Sequence, residues 1–157
     1  MLTPSSELTS NAKAALAETV SKVLADTFQL YLKTHAFHWN VTGPQFPQLH
    51  ALFAEHYTEM WNALDELAER VRSLGVAAPG NAETLIRLST IASAADAPPD
   101  ARRMVLELLD GHERLAARAR EGIAAAEEAG DAATADLLTG RMAVHEKTAW
   151  MLRATAA

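Results

Sequence analysis

Between Lys33 and Gly75 the chain reads KTHAFHWNVTGPQFPQLHALFAEHYTEMWNALDELAERVRSLG. Gly43-Pro44 divides this stretch, because proline restricts the residue before it and neither residue favours helix continuation. A helix is predicted from near Pro47, a residue favoured in the first turn, to Gly75, a natural terminator. It carries His50, Asp65 and Glu69. With His50 set at zero and about 100° per residue, position 54 falls at about 40°, Asp65 at about 60° and Glu69 at about 100°. All four share one face. His50 and Glu69 are nevertheless nineteen positions apart, roughly 28 Å along a straight helix. They cannot close on one metal ion within one chain.

An antiparallel copy of the same helix removes the obstacle. Positions 50 and 69 have the same midpoint as 54 and 65, so a two-fold axis near residues 59 and 60 sets His50 opposite Glu69 and position 54 opposite Asp65. Isologous contacts are self-complementary in this way. The pattern implies a homodimer with two equivalent interfacial sites, each built from both subunits and completed by His38 from the preceding helix. Imidazole and carboxylate in a chain without cysteine suit iron, manganese or zinc rather than thiolate clusters. The plainer alternative is that Asp65 and Glu69 form a solvated helix face.

The segments KTHAFHWNVTGPQF, FPQLHALF and LDELAERVRSLG, with TADLLTGRMAVHEKTAWMLRA near the C-terminus, resemble the signature of the Dps family (DNA-binding protein from starved cells), the small ferritin-like cages. The likeness covers nearly the whole chain from about residue 10. It implies an all-α fold, a ferritin-like four-helix bundle with a short extra helix between the second and third. It further implies a hollow twelve-subunit shell that oxidises Fe(II) at dimer-interface sites with hydrogen peroxide or dioxygen, stores ferric mineral and protects against oxidative stress. By that likeness His38, His50, Asp65 and Glu69 are the ferroxidase ligands and iron is the metal, with zinc as a substitute.

One departure falls at the centre of the pattern. Relatives usually carry Asp or Glu four residues after the second-helix histidine, where this chain has Ala54. A weakened second metal position and slowed oxidation are expected. Two side chains are candidates to compensate. Glu55, at about 140°, reaches the site only with helix distortion and is read by likeness as cavity-facing surface that seeds mineral. His145 lies on the apolar stripe Leu138, Met142, Ala149, Leu152 and is expected to be a hydrogen-bonded core residue before it is a ligand. His112 has the same standing, and His56, at about 240°, points away from the metal face.

The remaining sequence reads as helix. The first helix is predicted over about 10–39, a short helix within 76–100 between proline-containing loops, the third after Pro98-Pro99, and the fourth after Gly130-Asp131. Residues 1–9 form a short N-terminal tail and 10–157 a single ferritin-like domain. A long connection between the second and third helices matches the crossover expected of ferritin-like topology. No apolar run approaches the roughly 20 residues of a membrane span. The opening MLTPSSELTS lacks a basic region and an apolar core, so cytoplasm is the expected compartment.

Charge bears on partners. The formal net charge is −6 per chain, so twelve copies carry about −72 and repel a polyanion unless positive charge is segregated. The first twenty residues hold Lys13 against Glu7 and Glu18, and the chain ends ATAA. DNA binding is therefore not expected, despite the family's name. Arg102, Arg103, Arg114, Arg118 and Arg120 are interleaved with Glu107, Glu113 and Glu121 and read as a solvated mixed face. By likeness, an acidic cation pore lies near the start of the fourth helix, where Asp131 and Asp136 stand; Asp131 can equally cap that helix. Trp39 and Trp61 are expected at an interface and Trp150 in the core. Two rival functions belong to other classes: a non-enzymatic metal-scavenging shell, favoured by Ala54, and a nucleoid-compacting protein.

Overall fold

The computed structural model describes residues 7–157, so the first six residues of the expected tail lie outside the described residues. Five helices follow in order: α1 (Ser10–Asn40), α2 (Phe46–Ser73), α3 (Ala82–Leu88), α4 (Ala101–Ala129) and α5 (Ala132–Ala156). Among the described residues there is no strand. Helix α1 packs along α2 and α4 along α5, and α1 joins the two hairpins through α4. The short α3, which sits in the long α2–α4 connection, packs on α1. This is the four-helix bundle with an extra helix that the sequence implies.

Local chemistry fixes the helix ends. Thr9 accepts from the Ala12 amide and Asn81 from the Thr84 amide. Asp100 and Asp131 likewise accept from Arg103 and Thr134, so four of the five helices start with a side-chain cap on an otherwise orphaned N–H. Helix α2 instead carries Pro47 in its first turn, where a missing N–H costs nothing. Helix α4 stops at Gly130, whose φ of 78° is a left-handed conformation that suits glycine. The Asp131 amide then donates to the Ala126 carbonyl at 2.8 Å, and the chain turns directly into α5.

The core runs the length of the bundle through Leu30, Phe37, Phe53, Met60, Leu67, Leu108, Leu115 and Leu138, all buried. Gly111 permits a close approach of α4 to α1, since a Cβ there would sit 2.5 Å from Leu30 Cδ1. Asp26 of α1 is fully buried and holds the α3–α4 connection. It accepts from Ser89 Oγ (2.7 Å), the Thr90 amide (2.6 Å), Thr90 Oγ1 (3.0 Å) and Arg118 Nη1 (2.9 Å).

Two expectations need correction. Trp150 is 61% exposed rather than core, because Ala149 and Leu152 take the buried side of α5 and position 150 lies about 100° away from 149. Arg118 leaves the solvated mixed face and pairs with buried Asp26. Of the remaining arginines of that face, Arg103 pairs with Glu107, Arg114 with Asp110 and Arg120 with Glu146, surface pairs of a kind worth little individually, while Arg102 donates to the Ala156 carbonyl.

Candidate metal centre

His38 ends α1 and His50 opens α2, and the Gly43-Pro44 turn folds one back onto the other. Their imidazoles stack with centroids 3.7 Å apart and planes 15° from parallel. Each ring uses Nδ1 to reach the other residue's backbone carbonyl, both at 2.7 Å. A carbonyl only accepts, so both Nδ1 atoms carry the proton and donate. In the neutral rings this leaves both Nε2 lone pairs free. The arrangement is the one that orients a metal-binding histidine: a hydrogen bond at one nitrogen fixes tautomer and direction for the other.

Aromatic rings surround the pair. Phe46 stacks on His50 at 4.9 Å and Tyr57 on His38 at 5.2 Å. His35 lies edge-on to Tyr57 at 3.8 Å and beside Trp39 at 4.2 Å, and its Nδ1 is 3.0 Å from the Tyr31 hydroxyl. Burial, then the charge of His38, pushes the His35 imidazole below its ordinary value. The sequence marks Tyr31 only as a member of the first helix's periodic stripe, and assigns Tyr57 and His35 no role. The i,i+4 spacing of Tyr31 and His35, and the i,i+3 spacing of His35 and His38, were the available signals.

Asp65 and Glu69 lie exposed further along α2, on the face that carries His50. Among the described residues, no three His, Asp or Glu side chains of one chain come together as a metal site. The structure therefore brings His38 and His50 together and leaves Asp65 and Glu69 presented outward. Ala54 is half-buried between them and Glu55 is exposed.

His145 lies elsewhere. It is fully buried in the bundle core with His112 and Arg141. Arg141 donates through Nη2 to His145 Nε2 at 3.2 Å, which places the His145 proton on Nδ1. That N–H donates to His112 Nδ1 at 2.9 Å, so the His112 proton sits on Nε2, a buried atom with no partner. Arg141 is itself held by Glu59 of α2 through two bonds of 2.6 and 2.8 Å. Burial and the neighbouring Arg141 charge push His145 down to about 3. Burial with the adjacent His145 holds His112 well below its ordinary value. His145 is a hydrogen-bonded core residue, as its stripe suggested. Asp131 is buried, caps α5 and takes two bonds from Arg70 at 2.9 and 3.0 Å, whereas Asp136 is exposed.

Residues 17–157 match the ferritin-like domain. A DNA protection during starvation protein of Bacillus anthracis is 38% identical over 137 residues, covering 87% of this chain and 93% of that protein. The crystal structure of the Dps protein of Vibrio cholerae aligns with a TM-score of 0.92 over 100% of this chain and 98% of its own, at 31% identity. The chain belongs to the Dps family of ferritin-like proteins. A low temperature-induced protein of Nostoc, 40% identical over 147 residues, covers 93% of the chain and 82% of its own length. The Vibrio protein is described as a member of a broad superfamily of ferritin-like diiron-carboxylate proteins. Dps membership points to iron storage and protection, and to a homo-oligomer. No helix among the described residues is long and apolar enough to cross a membrane.

Proposed function

We propose that this Dps-family chain oxidises Fe(II) at interfacial sites formed by His38 and His50 of one subunit with Asp65 and Glu69 of a two-fold partner, and stores the ferric product inside a twelve-subunit shell. The observation that carries the reading is the reciprocal Nδ1–carbonyl lock, which leaves the Nε2 atoms of both rings without a partner inside the chain. Two imidazoles and two carboxylates form a donor set that accepts both Fe(II) and Fe(III). The second position is weak, because Ala54 supplies no ligand opposite Asp65.

The protein's part is binding, orientation and electrostatics. The carbonyl locks hold the imidazoles for the incoming ion, and Asp65 and Glu69 add the negative charge that favours Fe(III). The substrate iron gives its electrons to hydrogen peroxide or dioxygen, and the ferric ion moves to acidic surface such as Glu55. At the start of α5, Asp136 provides the exposed charge for a cation entrance, while Asp131 is engaged as a cap.

Stopped-flow absorbance after mixing metal-free protein with Fe(II) and peroxide tests the reading. Wild type should outpace the protein-free control, and Asp65→Asn should slow the ferric rise by about 10–100-fold. A rise no faster than the control leaves the non-enzymatic scavenging shell, the reading that Ala54 favours. An Asp65→Asn rate equal to wild type removes the interfacial site.

A further inference from the structure

Trp61 is 59% exposed in the single chain, on the face of α2 that also presents the proposed ligands. Beside it lies a hollow of about 310 Å³ lined by Tyr31, His35, Tyr57, Thr58 and Trp61 itself. We propose that Trp61 anchors the two-fold interface by seating its indole in the partner subunit's hollow, against that subunit's Tyr31, Tyr57 and Thr58. The inference rests on the interfacial reading above and names the residue that sets its register.

Register carries the argument. The axis near residues 59 and 60 that sets His50 opposite Glu69 also sets Trp61 opposite Thr58. On the scale where His50 is zero, Trp61 lies at about 20° and Thr58 at about 80°, on either side of position 54 and Asp65. Ligands and hollow therefore share one stripe and one symmetry operation. The two Trp61 residues stand three positions out of step, roughly 4.5 Å along the helix. Each indole is thus a wall of the hollow that its mate enters.

The walls are already in place. Tyr31 and Tyr57 lie parallel within 6° at 6.2 Å, and Trp61 leans on Tyr31 at 5.3 Å. The Tyr31 hydroxyl is held by His35, and Tyr57 rests edge-on against the same imidazole. An incoming indole meets fixed rings, so less ordering entropy is lost on association. Aromatic rings meeting at such angles and spacings attract beyond simple area burial. A buried aromatic anchor near the centre of an interface is the usual dominant contact. A slip of one helical turn would take each indole out of its hollow and His50 away from Glu69 together, so Trp61 is a positioning residue for the site.

Sedimentation velocity on the metal-free full chain tests the proposal, with far-UV circular dichroism to verify helix content. Wild type is expected as a dimer or a larger assembly. Trp61→Ala should remain helical and raise the concentration for dissociation to monomer at least about 30-fold. Thr58→Arg, which fills the hollow and leaves Trp61 intact, should do the same. A folded Trp61→Ala or Thr58→Arg protein that dissociates within about threefold of wild type overturns the proposal, as does a wild type that is a stable monomer. Iron oxidation is scored separately. A wild type that oxidises iron, with an assembly indifferent to Trp61→Ala, overturns the anchor alone. A Trp61-dependent dimer that fails to oxidise iron overturns the proposed function alone.

Discussion

Lowering the pH from 7 to 5 should cost the metal-free protein about 2 kcal/mol of folding stability through His145 alone. Burial and Arg141 hold the folded imidazole at about 3 against an ordinary value of 6.5. Between those two values the unfolded chain binds a proton that the folded chain refuses. The stabilising effect is complete above pH 6.5 and is lost progressively as the pH falls through the window towards 3. At pH 5 about one and a half units of that window have been crossed, and each unit is worth about 1.4 kcal/mol. His112, depressed by burial and by His145, adds a loss of the same sign. Asp131 adds little in this range: its burial is outweighed by the bonds from Thr134 and Arg70, which hold its carboxyl below the ordinary value, so it titrates further into acid.

Urea denaturation at pH 7 and 5, at one protein concentration because assembly shifts apparent stability, reads the effect. The His145→Gln variant keeps a polar group beside Arg141 and removes the titration. It will be less stable than wild type at both pH values, so the informative quantity is the difference between the two pH-induced losses. Wild type should lose about 2 kcal/mol more than the variant. Equal losses would refute the reasoning, because they would mean that His145 takes up its proton at an ordinary pH and that the Arg141–His145–His112 chain is open to water.

Asp26→Asn should lower stability by about 3 kcal/mol, or about 10 °C in calorimetry for a chain of this size. It leaves Arg118 half-buried without its carboxylate and frees the α3–α4 connection; a shift under about 2 °C would count against Asp26 as the clasp of that connection. Ala54→Asp adds a carboxylate to the stripe of α2 that carries His50 and Asp65, so on the proposed interfacial site the stoichiometry of calorimetric titration with Fe(II) under anaerobic conditions should rise towards two ions per site, and an unchanged stoichiometry would mean that Ala54 is not what limits the second position.

Helix boundaries were legible because their signals are local. Gly43-Pro44, Pro47, Asp100 and Gly130-Asp131 act within a turn of their own position, and each stands where a helix starts or stops. The face of α2 was legible because periodicity needs only the sequence of that helix. The His38–His50 lock was not. It depends on where two carbonyls point across a turn, and no spacing rule encodes a tautomer. Asp26 was also missed: its partners Ser89, Thr90 and Arg118 lie 63 to 92 positions away, and a lone aspartate in an apolar stripe carries no mark of them. The error at Trp150 is of another kind. Aromatic character favours burial there, but the buried neighbours Ala149 and Leu152 turn Trp150 towards solvent.

Helix α2 links the two clusters, and Glu59 is the link. His56 on one side of the helix packs near His112, with centroids 6.0 Å apart, while His50, Ala54, Trp61 and Asp65 occupy the other. Glu59 lies between these faces at about 180°, and its carboxylate grips Arg141, which in turn steadies His145. Rotating α2 by one residue would swing the stripe of proposed ligands by about 100°, break both Glu59–Arg141 bonds and drive Phe53 and Met60 out of the core. The buried polar chain therefore fixes the direction in which α2 aims its outward face. Because Glu59 also stands at the centre of symmetry inferred for the dimer, a partner laid across it would strip water from the Glu59–Arg141 pair and strengthen it. Assembly and the rotational setting of α2 would then reinforce one another, so a core variant such as His145→Gln is expected to weaken association as well as folding.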